Sequence, residues 1–574
     1  MIPSHFSAET LCNHASLKDK AMANDNFVTI NAEDPRYETL KRGFNLRWPE
    51  DEKDAAAEIY ICKTERDVHN ALEAAIRKKM RPTVRSGGHC YEDFVSKNKG
   101  GVIIDIGLMS GFEILDDSNK HRYKLLAGSQ NWNSAVELYK SENKCLPGGS
   151  CYSVGAGGHI SGGGYGLLSR LHGLTVDWVA AVDIVVVQDG QNVIKRHLDI
   201  GNTDSAYKSL LKACRGAGGG NFGIITAFYF NDLPPAPKKV LFGTYQIAWD
   251  QFIDKHGSTL RKDWTARPNF LAFLNRYAQF YKDSDVKPET YGLFSMLKLT
   301  AHQTGKIALT VQYCDKDGTL ADRVPINNFL DAIKGIKSEH PVEVVALDSH
   351  LGFTEIPVIT ASGTDAAVKL DAGVAEMDWL NATQTVNSSG PNRRGKYKSS
   401  YMKELFTQGE ADAFFKFLVQ DERAQNPSFS DTRIAIDSYG GAINNKCETN
   451  NGFDPADNHT SIPQRKSILK LQYQTYWNDK KEDTDHTKWM DELYRAVHKE
   501  HGLNGTPYPK NDGRYEGCYI NYPDVDMLKT DPEFPSYNWL ELYYPGIFKD
   551  LIEVKKNWDP KNIFKHSMSI PLSY

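Results

Sequence analysis

The sequence predicts a mixed α+β protein, and three observations predict it. Strand-like and helix-like pieces alternate quickly through residues 64 to 187. Longer strands rich in aromatics, together with helices, occupy residues 240 to 510. A compact strand-and-helix pattern then returns at the C-terminus.

In chain order, TERDVHNALEAAIRKK at 64 to 79 predicts a capped amphipathic helix. Thr64 is its N-cap, and Val68, Leu72, Ala75 and Ile76 make one apolar stripe. RPTVRSGGH follows as a strand running into a glycine turn. GVIIDIG at 101 to 107, YKLLAGS at 123 to 129 and AAVDIVVV at 180 to 187 read as strands, with the helix NSAVELYKSE between two of them. This is not the regular βαβ spacing of a parallel dinucleotide fold. Further on, GEADAFFKFLVQ at 409 to 420 predicts a helix and KSILKLQYQTYW at 466 to 477 a strand. The polar stretch NNKCETNNGFDPADNHTS reads as a surface loop, and the charged run at 478 to 483 as a solvated turn. Tyr519-Ile520-Asn521-Tyr522 reads as an extended strand, with Tyr519 and Asn521 on one face and Tyr522 on the other. IFKDLIEVKKNW is a closing helix. Trp132 and Trp178 read as core.

A chain of 574 residues, 40% hydrophobic and 25% charged, suits a soluble globular protein of two or more folding units. The net charge of −5 carries no basic excess for nucleic acid or an anionic membrane surface. The N-terminal residues lack the apolar core of a signal peptide, and no stretch approaches the roughly 20 apolar residues that span a bilayer. A cytoplasmic location is expected. The nine cysteines, at 12, 62, 90, 145, 151, 214, 314, 447 and 518, form no CxxC pair and no cluster with zinc-ligand spacing. Neither a disulfide framework nor a metal centre is expected, and most of these thiols read as small buried hydrophobes.

Two glycine-rich segments stand out. One is Arg85-Ser86-Gly87-Gly88-His89-Cys90-Tyr91; the other runs from Gly148 through Cys151, Gly155, Gly157, Gly158 and Gly162 to Gly166. Glycine at this density costs backbone entropy, and it is tolerated where successive amides approach a ligand closely or adopt positive φ. A pyrophosphate gives such a reason, because nested N–H groups donate without side-chain bulk. Neither segment is a Walker A loop or a GxGxxG turn, so a structural loop is the competing explanation.

The residues resemble the berberine-bridge-enzyme-like branch of the vanillyl-alcohol-oxidase flavoproteins. Arg85 to His89 resembles the segment whose histidine bonds the flavin 8α-methyl carbon, and Gly149-Ser150-Cys151 the segment whose cysteine bonds C6. Gly157-Gly158-His159, Leu174-Thr175-Val176-Asp177 and Gly219-Gly220-Asn221-Phe222-Gly223-Ile224-Ile225 continue the pattern. Tyr519 to Tyr522 and Asp559-Pro560-Lys561-Asn562-Ile563-Phe564 close it. The resemblance implies a two-part FAD-binding domain of vanillyl-alcohol-oxidase type, residues 1–235 and 515–574. Residues 236–514 would form a substrate domain, an antiparallel sheet backed by helices.

It further implies FAD held by two covalent bonds, from His89 and Cys151, both competent nucleophiles toward an electrophilic flavin. Cys90 is the fallback attachment residue, and a buried thiol or a bridge to Cys145 competes for Cys151. Arg85, Ser86, Gly87, Gly88, Val154, Gly155, Gly157, Gly158, Gly162, Gly223 and Ile225 are expected around the cofactor. His159, Tyr519 and Asn521 are expected there too, with a structural histidine competing at 159. Oxidation of an alcohol by hydride removal needs a base near the flavin. By resemblance Tyr522 is that base. A phenol of ordinary pKa about 10 needs a polar partner to serve, and Tyr401 is the candidate. Val154 resembles the oxidase state, with molecular oxygen as acceptor. The implied substrate is a sugar, a glycoside or a secondary-metabolite alcohol. Oxidative cyclisation or desaturation of an alkaloid- or polyketide-like molecule is the enzymatic alternative. A flavin-binding protein without turnover is the alternative outside enzymes.

Overall fold

The computed structural model describes residues 27–116, 118–320, 323–347, 374–387, 389–448, 453–456, 459–510, 513–530 and 532–574. Cys12, the N-terminal residues read for a signal peptide and parts of the polar stretch at 444 to 461 lie outside the described residues.

Three sheets order the chain. The first contains Val28–Asn31 (β1), Glu58–Ile61 (β2), Pro82–Arg85 (β3) and Val102–Asp105 (β4), in the order β1-β2-β4-β3. β2, β4 and β3 are parallel, so one small parallel unit exists where only alternation was legible. Its crossover helix, Glu65–Arg77, is closed by the expected cap: Thr64 accepts from Asp67 N–H, and Asp67 reciprocates. The second sheet is antiparallel, β5-β6-β9-β7-β8. Its strands are Phe112–Ile114 (β5), Tyr123–Leu126 (β6), Val179–Gln188 (β7), Asn192–Asp199 (β8) and Ile224–Phe230 (β9). β7 is buried over nearly its whole length, which explains its richness in Val, Ala and Ile around the single Asp183.

The third sheet is the largest and is antiparallel. It comprises Lys239–Ala248 (β10), Leu293–Thr300 (β13), Lys306–Tyr313 (β14), Val345–Ala346 (β15), Val374–Asp378 (β16), Arg394–Met402 (β17), Arg433–Ser438 (β18) and Leu469–Trp477 (β19). The order is β15-β10-β14-β13-β18-β19-β17, with β16 also pairing with β10. A small ribbon of Ile253–Asp254 (β11) and Thr265–Ala266 (β12) stands apart. The helices Pro268–Ser284 and Asp483–Val497 back the large sheet. Tyr277 on the first of them donates to the carbonyls of Ser295 and Ile436. The helix expected at 409 to 420 is α-helical over Gln408–Phe415 and continues with π-type geometry over Lys416–Gln420.

The strands alternate as pleated backbone requires. Leu297, Leu299, Ile434, Ile436, Leu471 and Tyr473 face the helices. Met296, Lys298, Arg433, Asp437, Gln472 and Gln474 face the opposite way and line a cavity. One face is thus apolar and the other carries charge and amide groups.

The segment expected as a strand at 519 to 522 is instead a turn, closed by a Tyr522 N–H to Tyr519 carbonyl bond of 2.9 Å. The turn cancels strand alternation. Tyr519 and Tyr522 both face the cavity, with ring centroids 5.1 Å apart. Pro523 follows immediately and supplies no N–H to a ladder. The charged run at 478 to 483 is exposed at its start, but Asp483 pairs with Arg394 and accepts from Trp477 Nε1 at 2.6 Å.

A buried ionic network joins these parts. Lys396 Nζ lies 2.9 Å from Glu92 Oε1 and 2.5 Å from Asp524 Oδ1, and Lys398 Nζ lies 2.5 Å from Asp524 Oδ2. Glu92 follows the first glycine turn, Asp524 follows the tyrosine turn, and both lysines belong to β17. Each of these four side chains is essentially inaccessible, so removing a partner strands charge in a low dielectric. Asp524→Ala is expected to destabilise the fold by about 3–5 kcal/mol. Scanning calorimetry checks this: an unchanged melting temperature would show the network to be idle.

Candidate active site

The two glycine turns meet backbone to backbone. A Cβ on Gly87 would lie 2.3 Å from Gly155 N, and a Cβ on Gly155 would lie 2.3 Å from Gly87 N. Neither residue can carry a side chain without moving the other loop. The contact sets His89, two residues beyond Gly87, and Cys151, four before Gly155, on the lining of one cavity of about 680 Å³.

His89 is held from two sides. Its ring stacks on Phe44 with centroids 4.7 Å apart, and Nε2 lies 2.8 Å from Ser153 Oγ. Burial pushes its pKa down to about 4, so the imidazole is neutral and nucleophilic at physiological pH. Cys151 is half-buried, and neither it nor Cys145 nor any other described cysteine is in a disulfide. Asn131 Nδ2 donates to the carbonyls of Gly149 and Cys151, both at 3.1 Å, and fixes the loop that carries the thiol. His159 acts from the other side. Its Nε2 accepts from Gly149 N–H at 2.9 Å, and burial lowers its pKa to about 4. His159 therefore orients the thiol loop. Cys90 also lines the cavity, with burial pushing its thiol pKa up to about 12.

The remaining residues expected around a cofactor divide by placement. Ser86, Gly88, Val154, Gly157, Gly158, Gly223, Ile225, Tyr519 and Asn521 line the cavity. Arg85 lines it too, but its guanidinium is engaged by Asp105 at 2.6 Å and by the carbonyls of Leu40 and Arg42, which buttresses the turn. Gly162 does not line it. A Cβ there would lie 2.1 Å from Asn521 Oδ1, so Gly162 makes room for Asn521, whose Nδ2 donates to His159 O at 2.9 Å.

The cavity fits a dinucleotide such as FAD. At Gly158 an added Cβ would meet nothing within 4 Å, and Gly218 and Gly220 adopt φ of +86° and +74°, leaving backbone open to a ligand. His566 is buried against this cradle, stacked on Phe94, and neither ring nitrogen makes a hydrogen bond of normal geometry. Sequence reasoning missed His566, although it stands just past the closing motif.

At the other end lies an ionic pair with a phenol. Lys470 Nζ is 2.8 Å from Asp437 Oδ2 and 3.2 Å from Tyr522 Oη, with the lysine side chain fully buried. The same ammonium sits 4.1 Å from the Tyr165 ring centroid. Burial pushes the Tyr522 phenol well above its ordinary pKa, and the Asp437 charge adds to this. The Lys470 ammonium opposes both, since it donates to the oxygen that becomes anionic. Tyr401 stands elsewhere. It is opposite Lys470 in the β17–β19 register, but its ring packs on Tyr439 and Tyr519, with centroids 5.0 and 6.1 Å away, and it does not line the cavity. The polar side chain at hydrogen-bond distance from the Tyr522 phenol is Lys470, not Tyr401. A strand of alternating Lys470, Gln472 and Gln474 was the signal that could have found it.

One buried acceptor on this wall, Asp437 Oδ1, lacks a hydrogen-bond partner among the described residues, while the Gln472 side chain is within hydrogen-bonding reach of the Tyr91 phenol. Lys298 stands on the same wall, and burial lowers its pKa to about 7.

Known proteins accord with this geometry. Residues 56–194 match the FAD binding domain family, and residues 518–571 match the berberine and berberine-like family. Hexose oxidase of Chondrus crispus is 36% identical over 560 residues, covering 95% of this chain and 95% of the relative. Aclacinomycin-N/aclacinomycin-A oxidase of Streptomyces galilaeus is 28% identical, covering 95% and 89%. Among solved structures, CrmK, a flavoenzyme of shunt-product recycling in caerulomycin biosynthesis, superposes with a TM-score of 0.78 at 28% identity, covering 95% of this chain and 99% of that one. The glycopeptide hexose oxidase DBV29 complexed with teicoplanin gives 0.75 at 28% identity, covering 95% and 99%. With its α+β fold, its glycine cradle and this likeness over nearly its whole length, the chain belongs to the berberine-bridge-enzyme-like FAD-linked oxidoreductases.

Proposed function

We propose that this protein is an oxidase of a sugar or a sugar-bearing natural product, using FAD bonded to both His89 and Cys151 and molecular oxygen as acceptor. The observation that carries the substrate class is the polar wall of the cavity, where Lys298, Asp437, Gln472 and Gln474 stand on one face of the sheet. Charged and amide groups there suit a hydroxyl-bearing carbon skeleton better than an apolar alkaloid. The relatives named as hexose and glycopeptide hexose oxidases support the same class.

The chemistry that bound FAD supplies is acceptance of a hydride from the alcohol carbon and its return to oxygen, giving hydrogen peroxide. Tyr522 takes the hydroxyl proton as that carbon is oxidised. Lys470 donates to the phenol oxygen and stabilises its anion, and Asp437 holds the ammonium in place. His89 and Cys151 would fix the ring by two bonds. Their common cavity, the neutral imidazole and the absence of a disulfide at Cys151 support this. Val154, half-buried on the cavity lining, is small enough to leave a path for oxygen.

Acid denaturation tests the attachment. The wild type, His89→Ala and Cys151→Ala are each expected to keep the yellow colour on the polypeptide, and the double variant to lose it. Loss of colour from either single variant would mean a single bond only.

The pH profile tests the base. Burial sets the Tyr522 pKa high, so kcat/KM rises with pH through that group. Removing the ammonium raises the pKa further. Lys470→Met should therefore lose about 10²–10⁴-fold in kcat at neutral pH and shift the rising limb to higher pH. Flavin absorbance reports whether the variant is folded. A limb that stays where it was would assign the proton to another group.

A further inference from the structure

We propose that the outer face of the second sheet carries a divalent transition-metal site built from His121 Nε2, His197 Nε2 and Asp199 Oδ2. These atoms all lie within 4.8 Å of one another. His121 Nε2 is 2.7 Å from Asp199 Oδ2, and His197 Nε2 is 4.0 Å from the same oxygen. None of the three residues lines the cofactor cavity, so the site is separate from the redox centre.

The surrounding atoms are arranged as outer partners of a metal. His197 Nδ1 lies 2.7 Å from Asp183 Oδ1, and His121 Nδ1 lies 2.6 Å from Asn231 Oδ1. Each contact places a proton on Nδ1 and leaves the Nε2 lone pair facing Asp199, the pattern by which ligating histidines are oriented. Asp199 Oδ1 accepts from Gly201 N–H at 2.6 Å and pairs with Lys120. The carboxylate is thus fixed, with Oδ2 toward the imidazoles.

Both nitrogens of His121 face oxygen acceptors, so its Nε2 is bridged to Asp199 either by a proton or by a cation. A metal ion at Nε2 would take the place of that proton and leave the Nδ1 contact with Asn231 intact. Three carboxylates, Asp183, Asp199 and Glu65, stand against two ammonium groups, Lys120 and Lys195. The local field therefore accepts positive charge. Tetrahedral zinc with bonds of about 2.0–2.1 Å sets its ligands about 3.3 Å apart. His121 and Asp199 must part slightly, and the half-exposed His197 must close by less than its rotamer freedom allows. The fourth position faces solvent. Occupancy would tie β8 to the segment that enters β6, across the two intervening strands β7 and β9.

Zinc is the test ion. FAD-loaded protein, stripped with EDTA and titrated calorimetrically with zinc chloride, is expected to take up one ion per chain. Cobalt in the same site should give tetrahedral visible bands. His197→Ala should abolish the bands and weaken zinc at least tenfold, Asp183→Asn should weaken it by about tenfold through the outer contact, and His256→Ala should change neither. Activity need not move in any variant. No uptake at a tenfold excess of zinc, or unchanged uptake in His197→Ala, would overturn the proposal.

Discussion

Gly87 and Gly155 approach so closely that neither tolerates a Cβ, and the chemistry of this enzyme depends on that contact. It brings together two loops separated by more than sixty residues and sets the imidazole and the thiol on one cavity wall. The glycines lose conformational entropy on folding. What offsets this is a set of short polar bonds around the junction: Ser86 Oγ to Ala127 O at 2.7 Å, Asn131 to the thiol loop, and His159 to Gly149. A reactive pair held this way needs no rearrangement before it meets a ligand, which is the sense in which a site is preorganised.

The opposite wall is governed by strand alternation. β13, β18 and β19 each present apolar residues to the helices and polar residues to the cavity, so a stable sheet becomes a chemically structured surface without any extra element. The consequence is a fully buried Lys470. An unpaired charge buried there would be costly. Asp437, on the neighbouring strand and in register with it, pairs with the ammonium at 2.8 Å. Asp437, Gln472 and Gln474 then give the cavity wall its hydrogen-bonding groups, and polar substrates are recognised by such groups.

Much of this was legible in the chain. The helix after Thr64, the strands at 82, 102 and 180, and the closing helix follow from caps and periodicity, which are local properties. His89, Cys151 and the glycines were visible as an ordered set of motifs. What escaped notice depends on distant neighbours. Tyr519 to Tyr522 has strand-like composition, but a single hydrogen bond across the segment makes it a turn and sends both phenols the same way. Tyr401 has the right residue type, yet Tyr439 and Tyr519 cover it. Lys470 lies in a strand that reads simply as aromatic. Likewise His121 and His197 show no ligand spacing, because the sheet, not the sequence, folds them together.

The network at Lys396 and Lys398 explains why these separate features act as one site. Glu92 extends the turn that carries His89, Asp524 extends the turn that carries Tyr522, and the lysines belong to the sheet whose next strand carries Lys470. In the proposed reaction the hydroxyl oxygen loses a proton and the carbon a hydride, so the base and the cofactor would have to keep their spacing closely. Hydrophobic packing alone would allow the sheet to slide over the cofactor lobe, because apolar contacts carry little direction. Buried charge pairs do not slide, since any displacement leaves an uncompensated charge. The contact between the large sheet and the two turns is therefore ionic, and its partners Glu92 and Asp524 flank the turns that carry His89 and Tyr522.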